Sequence, residues 1–187
     1  MSTEKQNEIL QAVWSVIARD GLESVSVRSV AAAAGVSPGR VQHYFPTKQD
    51  LVRSSVSAML AGAASTTPEA LGDPADPATL WALLTHAISP AASRRPGTSI
   101  YFSYVAASVA DSWIAEALTE ARRSVQSEVG QCLRAQGVTI EDIDGAALDL
   151  TLMAEGATQA VFVGWCTPEE ALDRIRHALA RLGVTIS

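Results

Sequence analysis

Residues Ser26 to Leu51 read SVRSVAAAAGVSPGRVQHYFPTKQDL, and the order of caps and breakers in this stretch decides the fold. Ser26 is placed to N-cap a helix whose apolar positions Val27, Val30, Ala31 and Ala34 recur at three- and four-residue spacing and so share one face. Gly35 ends that helix, because glycine accepts the left-handed backbone a sharp turn needs, and Val36 packs beneath the turn. Ser37 followed by Pro38 is an N-cap plus first-position proline, which starts a second helix. Pro46 disfavours helical geometry at Phe45, so this helix has about two turns and ends near Tyr44. Thr47 caps a further helix, with Asp50 where a capping box usually carries Glu or Gln. Two short helices across a tight turn, followed by a capped third, form a helix-turn-helix. Its second helix is of a size to enter the major groove of DNA with its N-terminal side chains toward base edges.

Outward from this stretch the chain reads as helices throughout. An opening helix runs from about Glu4 to Arg19, burying Ile9, Val13, Val16 and Ile17. The helix from Lys48 continues to about Ser65, and Pro68, Gly72, Pro74 and Pro77 mark a connector, with Asp76 and Pro77 as the next cap. Helices follow at roughly Ala78 to Ser89, Pro96 to Ala110, Ser112 to Gln136, Ile143 to Trp165 and Pro168 to Leu182, the last opened by Thr167, Pro168 and Glu170. No segment alternates over a strand length. The expected architecture is all-α, an N-terminal three-helix homeodomain-like helix-turn-helix domain (1–53) joined to a C-terminal helical bundle (54–187), with about nine helices in total.

The chain has 187 residues, 48% of them hydrophobic, and a net charge of −6. Divided at residue 53, the first part carries Lys5, Arg19, Arg28, Arg40, Lys48 and Arg53 against five acids, a net of +1, while the remainder carries −7. The N-terminal part is thus the more attractive to a polyanion. Cys132 and Cys166 lack CxxC spacing, and the N-terminus has no basic segment leading an apolar run, which together point to a reducing, cytoplasmic setting. Ala146 to Trp165 approaches a membrane span in length, but Asp149, Glu155 and Gln159 would lie in hydrocarbon, so a helix buried on one face by its own domain and on another by a partner is the better reading.

The run GVSPGRVQHYFPTKQDL, preceded by VRSVAAAA, resembles the DNA-binding signature of the TetR family of one-component bacterial transcriptional regulators. Gly35, Val36, Ser37, Gly39, Tyr44, Phe45, Lys48, Asp50 and Leu51 carry the match. The sequence departs from the pattern at Gln42, where many members have a tyrosine that touches phosphate. The resemblance implies a homodimer on a palindromic double-stranded DNA operator, released by a small, largely apolar effector, with the fourth helix as lever and repression as the usual outcome.

Within the reading head, Arg40 is the first choice for base reading, since a guanidinium can bond guanine twice; phosphate contact and a solvated position together weigh about the same. Gln42 is placed to read adenine or to point at the backbone, and His43 to touch phosphate or a thymine methyl. Tyr44, Thr47 and Lys48 are phosphate candidates, Arg28 reaches for backbone or groove edge, and Ser37, Pro38 and Gly39 shape the approach, Ser37 more as cap than reader. For the dimer, Gly156, Ala160 and Gly164 make a stripe of small residues, and Leu172, Ile175 and Leu179 a seam of the last helix; packing inside the subunit is the competing reading. Trp81, Tyr101, Tyr104, Trp113, Met153 and Phe162 are candidates to line an effector site, with core packing the commoner role for such residues. No HExxH, GxSxG, phosphate-cradling glycine loop or metal-spaced cysteine set is present, so neither an enzyme nor a cofactor or metal is expected. The competing function is a helical ligand-binding or interaction protein that has lost operator binding.

Overall fold

The computed structural model describes residues 2–64, 72–88 and 96–186, and among them the secondary structure is entirely helical. The helices are α1 (Ser2–Asp20), α2 (Val27–Ala34), α3 (Pro38–Tyr44), α4 (Lys48–Ala64), α5 (Pro77–Thr85), α6 (Pro96–Ala107), α7 (Ser112–Ala135), α8 (Ile143–Phe162) and α9 (Pro168–Arg181), with a short 3-10 turn at Leu22–Ser24. The expected helix ends at Ser65 and Ser89, and the connector residue Pro68, lie outside the described residues.

The local signals are realised as hydrogen bonds. Ser26 and Ser29 form a reciprocal capping box at α2, and Gly35 ends that helix at φ 64°. Thr47 and Asp50 close a second box at α4, Thr47 N donating to Asp50 Oδ2 at 3.1 Å and Asp50 N to Thr47 Oγ1 at 3.0 Å. Thr167 and Glu170 form a third at α9, and Asp76 caps α5 by accepting from Ala78 N.

The chain divides into two compact units, Met1–Ala63 with Ser99–Thr119, and Ala64–Thr98 with Glu120–Ser187. The first unit therefore extends beyond residue 53 and takes in most of α6 and the start of α7. The reason is apolar: Val52 and Val56 of α4 share a buried core with α1–α3 and with Ile100, Tyr104, Ile114 and Leu118. The second unit has its own core, built from Leu80, Leu83 and Leu84 of α5, Val129 and Leu133 of α7, Ala147 and Leu150 of α8, and Ala171, Ile175 and Leu179 of α9. Both cysteines are free; Cys132 is buried there, and burial pushes its thiol up from the ordinary value.

Three helices are shorter than their patterns suggested, and the first of them, α5, stops at Thr85 with residues 86–88 in a turn. α6 stops at Ala107, and Val109 is left 91% exposed in the turn that follows. α8 stops at Phe162, because Gly164 adopts φ 77° and the chain closes with Trp165 N donating to Ala160 O at 2.8 Å and Gly164 N to Val161 O at 3.1 Å. That paired closure is a Schellman turn, so Gly164 terminates the helix instead of extending a small-residue stripe along it. No described helix is long and apolar enough to cross a membrane.

Candidate nucleic-acid interface

α3 has seven residues, too few to be stable alone, and tertiary packing must hold it. Val41 is fully buried, which contributes roughly 1.5–3 kcal/mol, and Phe45 is buried one turn later. Tyr44 packs half-buried against the same core with its ring edge-on to His43 at 5.2 Å between centroids. With that face anchored, Pro38, Gly39, Arg40, Gln42 and His43 are all exposed. Ser37 acts as a cap, its hydroxyl accepting from Arg40 N at 3.3 Å.

The flanks complete the surface. Arg28 is exposed on α2. Lys48 Nζ donates to the Glu23 carbonyl at 3.3 Å, which ties the start of α4 to the 3-10 turn; an ammonium has three protons, so two remain for another acceptor. The Thr47 hydroxyl donates to Asp50 Oδ2 at 2.7 Å and is committed to its own cap.

The charge of this unit has a different sign from that of residues 1–53. Its six cations, Lys5, Arg19, Arg28, Arg40, Lys48 and Arg53, face seven acids once Asp111 and Glu116 are included, a net of −1. What distinguishes the surface is the pairing. Lys5 pairs with Glu8, Arg19 with Asp20 and Arg53 with Asp111, whereas Arg28, Arg40 and Lys48 have no carboxylate partner among the described residues. The three unpaired cations are those on α2, α3 and the first turn of α4.

Asp111, Arg53 and Gln49 were not singled out by the sequence, and neither was Ser55. Asp111 precedes α7 and caps it, accepting from Trp113 N at 3.0 Å. The Arg53 guanidinium holds the Asp111 carboxyl below the usual carboxylate range. Ser55 bonds the hydroxyl of Tyr104 at 2.7 Å, and burial pushes the Tyr104 phenol up to about 12.

The proposed effector residues fall in different units. Tyr101, Tyr104 and Trp113 belong to the first and Trp81, Met153 and Phe162 to the second. Tyr104 is a core residue with no exposure, and Trp113 carries the Arg53 guanidinium over its ring at 5.5 Å. Trp81 is covered in the same way by Arg176 at 5.1 Å. Met153 is 40% exposed, and Phe162 is half-buried. Among the described residues, no group of three or more His, Cys, Asp or Glu side chains is placed to hold a metal.

The proposed dimer residues also separate. Ile175, Leu179 and Ala160 are buried within the single chain, and Leu172 packs half-buried against the same core, so the seam of α9 faces its own unit. The three- and four-residue period of these positions marks a face covered within its own unit. Gly156 is exposed, on a face of α8 that also presents Leu148, Leu152 and Met153 at 43%, 59% and 40% exposure. Glu155 on this helix pairs with Arg122 at 3.0 Å.

These features define a helix-turn-helix of the kind that docks a short helix against nucleic acid. Residues 9–54 match the family of bacterial regulatory proteins, tetR family, a match that lies within the N-terminal part of the chain. It is similar to the HTH-type transcriptional regulator PksA of Bacillus subtilis, 39% identical over 49 residues that make up 26% of this chain and 24% of that protein. It is also similar to the HTH-type transcriptional regulator BetI of Vibrio campbellii, 34% identical over 73 residues, 38% of this chain and 37% of that protein. The chain thus matches well under half the length of these relatives. Over nearly all of its length the fold is that of a TetR transcription regulator from Haloarcula marismortui, with a TM-score of 0.81 at 17% identity, covering 96% of each chain.

Proposed function

We propose that the chain is a ligand-responsive transcriptional regulator that binds a palindromic operator as a homodimer, most simply as a repressor. The observation that carries this reading is the pairing of charges within the first unit: among its described residues the cations left without carboxylates are Arg28, Arg40 and Lys48, on and beside an exposed α3. Arg40 and Gln42 would read base edges, and Tyr44, Lys48 and Arg28 would hold phosphate. The exposed apolar face of α8, with Leu148, Leu152, Met153 and Gly156, would meet its symmetry mate, and a two-fold pair of heads requires a palindromic site. In this reading the division of labour falls near residue 53, with the apolar helices of the second unit taking up a small, largely apolar effector. The effector must prefer the conformation that does not fit the operator, otherwise no release follows.

The net charge of −1 on the first unit favours the second reading, a ligand-binding or interaction protein without operator affinity. Selection of duplexes from a randomised library with the full chain separates the two. A regulator enriches a two-fold-symmetric sequence that it binds in a salt-dependent manner; failure to enrich any duplex, with no salt-dependent binding, overturns the regulator reading.

A further inference from the structure

The most connected carboxylate of the first unit lies outside the helix-turn-helix. Asp111 Oδ1 accepts from Arg53 Nη2 at 2.9 Å and from Trp113 N at 3.0 Å, and Oδ2 accepts from Arg53 Nε at 3.2 Å and Gln49 Nε2 at 3.4 Å. Arg53 lies over the ring of Trp113, whose own amide the same carboxylate accepts. The two side chains of the ion pair are 34% and 19% exposed, sheltered enough to hold one geometry. Gln49 and Arg53 are one turn apart on α4, so a single group fixes that turn in both position and rotation. Between α4 and α3 stand Phe45, Pro46 and Thr47, and these leave little slack: Phe45 is buried, Pro46 has a fixed φ, and Thr47 is locked in its capping box.

We propose that Asp111 is a positioning residue for DNA recognition, one that sets the direction of α4, and through it α3, without touching DNA. This rests on the reading of α3 as the recognition helix. It carries a sign that separates positioning from bulk electrostatics. Asp111→Asn removes a negative charge, so if the residue acts through its field alone the variant binds every duplex more tightly. If it positions α4, the variant binds the selected duplex less tightly while its affinity for random-sequence duplex holds or rises.

The test uses the full chain, a duplex enriched from a randomised library by the wild type, and a random-sequence duplex of equal length. Asn keeps an oxygen for the Trp113 amide and so preserves the cap. The expected result is a fall in the ratio of specific to non-specific affinity of roughly tenfold, within the range of indirect couplings. Asp111→Glu should restore part of the ratio, and Arg53→Gln should reproduce the loss, with the double variant Arg53→Gln/Asp111→Asn losing no more than either single change. Specific affinity that is unchanged or raised in Asp111→Asn overturns the proposal. Should the wild type enrich no duplex, the DNA-binding reading has failed separately. Hydrogen exchange then decides the positioning role: faster exchange of α3 and α4 amides in Asp111→Asn upholds it, and unchanged exchange refutes it.

Discussion

Tyr104→Phe isolates one hydrogen bond in the core of the first unit and gives it a pH signature. The phenol has no solvent exposure and sits 2.7 Å from Ser55 Oγ. Ser55 has a single proton, and it goes to the Val52 carbonyl at 2.7 Å, so Tyr104 is the donor to Ser55. Removing the phenolic hydroxyl forfeits that bond, a net loss of about 0.5–1.5 kcal/mol at neutral pH. The Trp14 indole continues to donate to the Ser55 carbonyl at 3.3 Å, which keeps the surroundings in place.

Ionisation adds the second half of the argument. Burial raises the phenol to about 12 in the folded chain, against about 10 for an exposed tyrosine. A group whose folded pKa is raised contributes fully below the unfolded value and loses that contribution as pH climbs through the folded one. The wild type should therefore lose about 3 kcal/mol between roughly pH 10 and 12 from this residue, a loss the phenylalanine variant does not share. The stability difference between the two proteins then starts near 1 kcal/mol in favour of wild type and reverses sign within that window. Urea unfolding followed by tryptophan fluorescence, at neutral pH and in steps through the alkaline range, measures the difference directly, and titrations common to both proteins cancel. A deficit in the variant that stays constant through the alkaline steps, or no deficit at neutral pH, refutes the reasoning.

Arg40→Ala should cost about 1–3 kcal/mol of operator affinity and relax the sequence preference at one position; a uniform loss across sequences instead assigns Arg40 to phosphate. Gly35→Ala forces a Cβ into a φ of 64°, so thermal unfolding of the first unit should drop by about 1–2 kcal/mol; an unchanged melting temperature would contradict the turn geometry. Leu152→Glu, at a position 59% exposed, should leave helicity unaltered and shift sedimentation from dimer to monomer, whereas an unchanged sedimenting mass would remove α8 from the interface.

What was legible in the sequence was local. Ser26, Gly35, the Ser37–Pro38 pair and the Thr167–Glu170 box each act on backbone groups within three or four residues, so a single chain read in order contains both partners. Periodicity carried less. Ile175 and Leu179 recur as buried residues do, yet the period shows that a face is covered without showing by what, and their own unit covers them. Gly164 fits a four-residue repeat with Gly156 and Ala160 as well as it fits a helix stop, and its left-handed backbone decides for the stop. Arg53 and Asp111 are 58 residues apart, and nothing local to either names the other. The one available signal was Asp111 preceding a helix as its cap, which would have placed the carboxylate without its partner.

The charge of the reading head changes meaning in the same way. A count over residues 1–53 gives +1, but Asp111 and Glu116 belong to the compact unit and turn the total to −1. Affinity for DNA does not follow that total, because paired charges a Debye length of about 8 Å or more from the phosphates are largely screened. It follows the number of cations free to displace counterions, here Arg28, Arg40 and Lys48 in each head. Arg28 and Lys48 on phosphate in each of two heads give a slope of log affinity against log salt of roughly −4, and Arg40 neutralising phosphate as well would take it to roughly −5. A slope near −2 would mean that one head engages or that most of these cations stay in solvent. A slope much steeper than about −7 would require cations now held in ion pairs, Arg53 among them, to be released to the DNA. The unpaired-cation count is therefore a stricter claim than a basic patch, and a salt titration on the selected duplex decides it.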